Sequence, residues 1–139
     1  MSIREIENSI ILYLKDKFPE FLVDGFPEKP QDFILLHPVG AVLVHYRGGN
    51  YTNLNSLGII SQTKGLSFAI TVITRNLRNN NGAYETLDRV KQYLCGYKIP
   101  GCTKMIPQKE GFISETNGIW QYEIEFNLTT PSIEEMEEI

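Results

Sequence analysis

Cysteine is scarce in this 139-residue chain, with only Cys95 and Cys102. Two thiols six residues apart are too sparse for a disulfide scaffold, and the pair lacks the C-x2-C spacing of zinc sites. Histidine is equally scarce, with His37 and His45 alone. Two imidazoles and two thiols amount to one zinc donor set, but no spacing groups them. The simpler reading is two reduced thiols and two histidines near strand ends, with no metal and no cofactor. No apolar run approaches the roughly 18 residues of a membrane helix. The opening MSIREIENS carries acids and no apolar core, so no signal peptide is expected there. Repeats and low-complexity tracts are also missing. So are G-x-S-x-G, H-E-x-x-H and the Walker sequence, which excludes the enzyme classes those motifs define.

Bases are absent from the last thirty residues. Residues 110–139 hold eight acids and no Lys or Arg, whereas residues 33–109 hold nine bases and only Glu85 and Asp88 as acids. Residues 1–32 carry seven acids and four bases, and the formal net charge is −4. Apolar residues make up 42% and charged residues 22%, an ordinary globular balance that argues against disorder or a coiled coil. The length fits one domain, taken as residues 1–131 with an acidic tail over 132–139.

Ser2 followed by Glu5 is a capping-box pattern. Behind it Ile3, Ile6, Ile10, Tyr13 and Leu14 recur at helical spacing, predicting a helix over about 3–18 that stops before Pro19. A short extended piece follows at Phe21–Val23, then the turn-rich DGFPEKPQD. In VGAVLVHY both alternate sets are largely apolar, as in a strand covered on both faces. RGGNYTNLNSLG suggests a polar loop of about a dozen residues, anchored by Tyr51 and Leu54. LSFAITVIT is β-branched and predicts a second strand. RNLRNNNGAY suggests another polar loop, opening a helix over about 82–95 with Tyr84, Leu87, Val90 and Leu94 as its apolar stripe and Gly96 as its stop. TKMIPQKEGFIS contains Pro107 and reads as an edge strand or a bulge. Asn117-Gly118 marks a tight hairpin turn into GIWQYEIEFNL, where Trp120, Tyr122, Ile124, Phe126 and Leu128 share one face. The expected fold is α+β: a mainly antiparallel sheet of four to five strands with two helices packed on it.

Chemistry has little to build on. Glu123 and Glu125 share a strand face, and paired carboxylates do acid–base work, but a solvated strand face explains them as well. Cys95 beside His37 or His45 lacks any local motif. The glycine-containing RGGN and RNNNG turns invite an anion test, yet the strand–glycine–helix arrangement with its lysine is absent. Arg47, Lys64, Arg75 and Arg78 stand in a stretch free of acids from residue 33 to 84, which suits single-stranded nucleic-acid binding through loops 47–78. A protein interface accounts for more features together. Arg and Tyr are favoured at interfaces, and a basic block beside an acidic block lets copies join head to tail.

Three blocks carry a resemblance: GAVLVHYRGGNY, RNLRNNNGAYETLDRVKQYLCGYKIPGC and EGFISETNGIWQYEIEF. In this order, over about residues 39–126, the chain resembles the small tail protein of Mu-like contractile-tailed phages and prophages, which belongs with the tail terminator (tail completion) proteins. The resemblance implies a virion structural protein, not an enzyme. It implies a ring, commonly of six copies, at the head-proximal end of the tail tube, assembled in the bacterial host cytoplasm. The implied partners are the chain itself, the tube protein, the sheath protein and the head–tail connector. No membrane is involved, and genomic DNA makes at most a transient contact as it passes through the ring. Tyr46, Arg47, Gly48, Gly49, Asn50 and Tyr51 fall on the family's first polar loop, and Arg75, Arg78, Asn79, Asn80 and Asn81 on the loop before the second helix. Of these, Tyr46, Arg47, Asn50, Tyr51, Arg75, Arg78, Asn79 and Asn80 are the expected subunit or tube contacts. Trp120 and Tyr122 are expected in the core.

Overall fold

The computed structural model describes residues 2–52 and 58–133. Elements follow the order α1 (Ile3–Lys17), β1 (Leu22–Gly25), a single 3-10 turn (Pro30–Asp32), β2 (Gly40–Tyr51), β3 (Ser61–Thr74), α2 (Ala83–Leu94), β4 (Ile106–Thr116) and β5 (Ile119–Ile133). The strands form one five-stranded sheet in the order β1-β2-β3-β5-β4. Every pairing is antiparallel except β1 with β2. The α+β expectation is met, with four of the strands antiparallel and both helices lying on the sheet.

Local chemistry explains the elements. The capping box forms: the Glu5 amide donates to Ser2 Oγ at 3.1 Å and the Ser2 amide to Glu5 Oε1 at 3.3 Å, satisfying amides that have no helical acceptor. Ile6, Ile10, Ile11 and Leu14 bury one face of α1, and Leu87, Val90 and Leu94 one face of α2. Tyr84 departs from its expected stripe and is largely exposed. The spacing of Ala83, Leu87, Val90 and Leu94 is the true apolar line, and Tyr84 falls just outside it. Gly96, at φ +83°, ends α2 as expected.

The helices share one sheet face. Helix α1 covers β1 and β2, and α2 covers β3 and β5. Beneath them lie Val42, Val44, Phe68, Ile70, Val72, Ile124, Phe126 and Leu128. The other face of β2 is covered too: Ala41, Leu43 and Ile73 pack against Phe26, Phe33, Leu35 and Ile119. The proline-rich 26–37 segment therefore serves as a strap, which is why both alternate sets of VGAVLVHY are apolar.

Three sequence expectations need correction. Arg47–Tyr51 is strand, not loop. Gly48–Tyr51 pairs with Lys64–Ser67, and the pairing outweighs the poor strand propensity of its glycines. Strand β5 runs past the expected GIWQYEIEFNL to Ile133, paired with β3 from Trp120 to Ile133. Leu54 and the acidic Glu134–Glu138 cluster lie outside the described residues. Trp120 does not join the core: it is half-buried against Phe112, with ring centroids 6.1 Å apart. Tyr122 packs on the core margin as expected. Strand β4 is an edge strand with register shifts at Pro107/Lys109 and Phe112/Ser114, as Pro107 suggested.

Candidate functional site

Strand directions separate the expected contact residues. Tyr51 lies level with Lys64, and Gly40 with Thr74. Tyr46–Tyr51 thus sit toward one end of the sheet, and the Arg75–Asn80 loop, which follows Thr74, sits at the other. Ten residues of β3 separate the two levels, roughly 33 Å at strand rise. The two segments form two surfaces, not one patch.

At the first end, β2, β3 and β5 continue past Leu66 and Leu128 as a three-stranded arm. A bulge falls at Arg47, because Tyr46 pairs with Phe68 but Gly48 with Ser67. Lys64 Nζ lies 5.7 Å from the Tyr46 ring and 5.4 Å from the Tyr51 ring, a cation held between two aromatic faces. Gly49 is required here: a Cβ would come 2.6 Å from Tyr46 Oη and 2.7 Å from Gly65 O. Tyr51 (56% exposed), Ile59 and Ile133 (61%) leave the arm tip apolar.

At the second end, Arg75 is engaged within its own chain. Its Nη2 donates to His37 O at 2.8 Å and Leu35 O at 3.2 Å, and its Nε to His37 O at 3.2 Å. It clasps the strap. Asn76 Oδ1 accepts from the Asn79 amide at 2.9 Å and shapes the turn, and Asn81 takes φ +59°, a conformation asparagine tolerates. Arg78 lies over the exposed Tyr84 ring at 5.7 Å. The Asn80 side chain can donate to both Glu85 carboxylate oxygens at 3.3 Å.

Between the ends, the sheet face opposite the helices carries a polar network. Arg47 Nη2 contacts Glu123 Oε1 at 3.1 Å. Ser67 Oγ donates to Glu125 Oε1 at 2.5 Å, and Lys109 Nζ lies 3.6 Å from Glu125 Oε2. The Ser67 hydrogen bond, helped by Lys109 and Arg47, holds the Glu125 carboxyl below the ordinary range against the effect of burial. Burial, with the Arg47 charge, lowers the His45 pKa despite Glu123 and Glu125 nearby. His45 Nδ1 is buried with no hydrogen-bond partner among the described residues. Glu123 and Glu125 are thus ion-paired structural carboxylates here.

The two histidines are apart in role. His37 Nδ1 accepts from the Val39 amide at 3.1 Å and shapes the entry to β2. Cys95 is exposed and Cys102 buried, and both are free. No group of three or more potential metal ligands occurs among the described residues. Arg89 stands on α2, outside its apolar line. It reaches Glu20 Oε1 at 2.5 Å and Lys17 O at 3.1 Å, and stacks 4.3 Å over Phe18. A single arginine on a helix gives no sequence sign of such a partner.

A family model described as Gp37 protein matches residues 10–139. The chain belongs to the Gp37 protein family, a family of phage tail proteins. No curated protein matches it significantly. Family membership makes it a tail-associated structural protein of the virion.

Proposed function

We propose that this chain is a tail terminator: a ring, of six copies, seated on the head-proximal end of the tail tube. It stops tube growth, engages the last sheath layer and offers the head connector a docking surface. It does this by protein contact alone, without catalysis or cofactor. The observation that carries this reading is the three-stranded arm, whose tip exposes Tyr51, Ile59 and Ile133 beyond the helices. An apolar tip on a rigid, paired arm suits insertion between protein neighbours. The four bases of the acid-free stretch favour protein assembly over a nucleic-acid track. Arg47 is ion-paired, Lys64 is stacked, and Arg75 and Arg78 stand at the far end of the sheet.

The test is electron microscopy of particles made without the protein, combined with gold labelling of a tagged copy. Tubes of uncontrolled length, few joined heads and label at one tail end are expected. Tails of normal length that join heads without the protein would overturn the reading.

A further inference from the structure

Among the described residues the lateral edges of the sheet are β1 at one side and β4 at the other. Each edge carries one like-charged pair near the arm-ward end of its strand. On the β1 side Glu7 and Asp24 lie together. Glu7 Oε1 is 3.1 Å from where a Gly25 Cβ would stand, and Asp24 adds to the burial that raises the Glu7 pKa. Neither forms an ion pair among the described residues. On the β4 side Lys98 and Lys104 pair backbone to backbone as a short bridge. Both are exposed, and neither forms an ion pair among the described residues. Two like-charged pairs, of opposite sign, thus occupy opposite edges of one sheet.

The order of charges along the edges is complementary as well. Strand β1 runs toward the arm end, parallel to β2, and Lys15 lines the same surface as Leu22 and Asp24. From arm end to base that edge presents acid, then Leu22, then base. The β4 edge presents Lys98 and Lys104, then exposed Ile106, then Lys109, which is ion-paired with Glu125 of its own chain, then Glu110 and Glu115. Thr103, beside Lys104, is level with Thr129 and so with Gly65 of β3. Gly25 is level with Val44 and so with Ile70. A stagger of roughly 15 Å between neighbours brings the acids to the lysines and Leu22 to Ile106. Without stagger Asp24 would lie level with Gly111, next to Glu110. Stagger between neighbouring strands is the normal condition for closing a sheet around an axis.

We propose that a second copy of this chain docks its β1 edge against the β4 edge of the first, with Glu7 and Asp24 facing Lys98 and Lys104. The contact is heterologous, and repetition closes a ring when the rotation between neighbours divides a full turn. This rests on the ring reading above and names the surfaces that build it. Opposite charge selects the staggered register, and the exposed Leu22 and Ile106 supply apolar contact.

The test uses tails assembled with a Cys95→Ser chain carrying Asp24→Cys and Lys104→Cys. The two positions lie at opposite edges of a five-stranded sheet, separated by about 19 Å across the strands and by roughly 15 Å more along them. A disulfide between them therefore has to join two chains. Mild oxidation is expected to yield a ladder of linked chains up to the full ring. In a second arm, Asp24→Lys or Lys104→Glu alone is expected to lower ring occupancy on tails about tenfold, and both in one chain to restore it. A ring visible on tails with no ladder and no charge effect overturns this inference alone. Single copies on tails, with no ring, overturn the ring reading and this inference together.

Discussion

Arg47 of β2 and Glu123 of β5 meet at 3.1 Å across the intervening strand β3. The bulge at Arg47 gives it this reach, and the contact ties the base of the arm to the centre of the sheet. Both side chains retain solvent access, so the pair contributes on the order of 0.5 kcal/mol. Arg47→Glu places three carboxylates together with Glu125 and is expected to lower stability by about 1–2 kcal/mol. Glu123→Arg in the same chain should recover most of that loss. Urea unfolding of the four proteins in a double-mutant cycle measures the coupling; zero coupling would show the contact to be energetically idle.

Arg75 holds the strap through the carbonyls of Leu35 and His37. Arg75→Ala is expected to cost about 1–2 kcal/mol and to raise amide exchange and protease cleavage selectively between residues 26 and 39. Arg75→Lys recovers little, because an ammonium lacks the planar fork that spans both carbonyls. Uniform exchange across the chain in Arg75→Ala would remove the clasp role.

Stability should fall as pH drops through the range below neutrality. His45 has a folded pKa below its unfolded value, chiefly through burial. The unfolded chain therefore takes up the proton first, and stability is lost as pH falls from about 6.5 toward the folded pKa. Glu125 is held low by Ser67. At Glu20, burial pushes upward but the Arg89 hydrogen bond and charge prevail, so its pKa is also lowered. These two contribute stability that is present above about 4.5 and lost as pH falls through their folded values. Glu7, raised by burial and Asp24, works the other way. Thermal melts of His45→Gln across roughly pH 2–8 should lose the upper step and keep the lower one.

Gly40 sits at φ +157°, and a Cβ there would come 2.4 Å from Ile73 O and 3.1 Å from Phe21 Cε2. Gly40→Ala is expected to destabilise the fold by about 2–4 kcal/mol, since backbone has to shift. Gly111→Ala serves as the control, because its added Cβ meets nothing within 4 Å. Equal midpoints for the two variants would contradict the crowding at Gly40.

Apolar periodicity determined much of this protein by itself. Ile6, Ile10 and Leu14 announced one helix, the alternation from Trp120 to Leu128 announced a strand, and Asn117-Gly118 announced the turn, where both residues take positive φ. These are short-range signals, set by side-chain spacing and backbone sterics. Only the tertiary structure decided the rest. Glycine-rich Gly48–Tyr51 became strand because β3 extends far enough to supply hydrogen-bond partners. Arg75 turned to the strap because the Leu35 and His37 carbonyls lie within its reach, and Arg47 to Glu123 because strand order places β5 two strands away. The candidate contact residues divided between two ends of the sheet for the same reason. Strand order and direction depend on contacts between distant segments, whose closure entropy and packing no local pattern encodes.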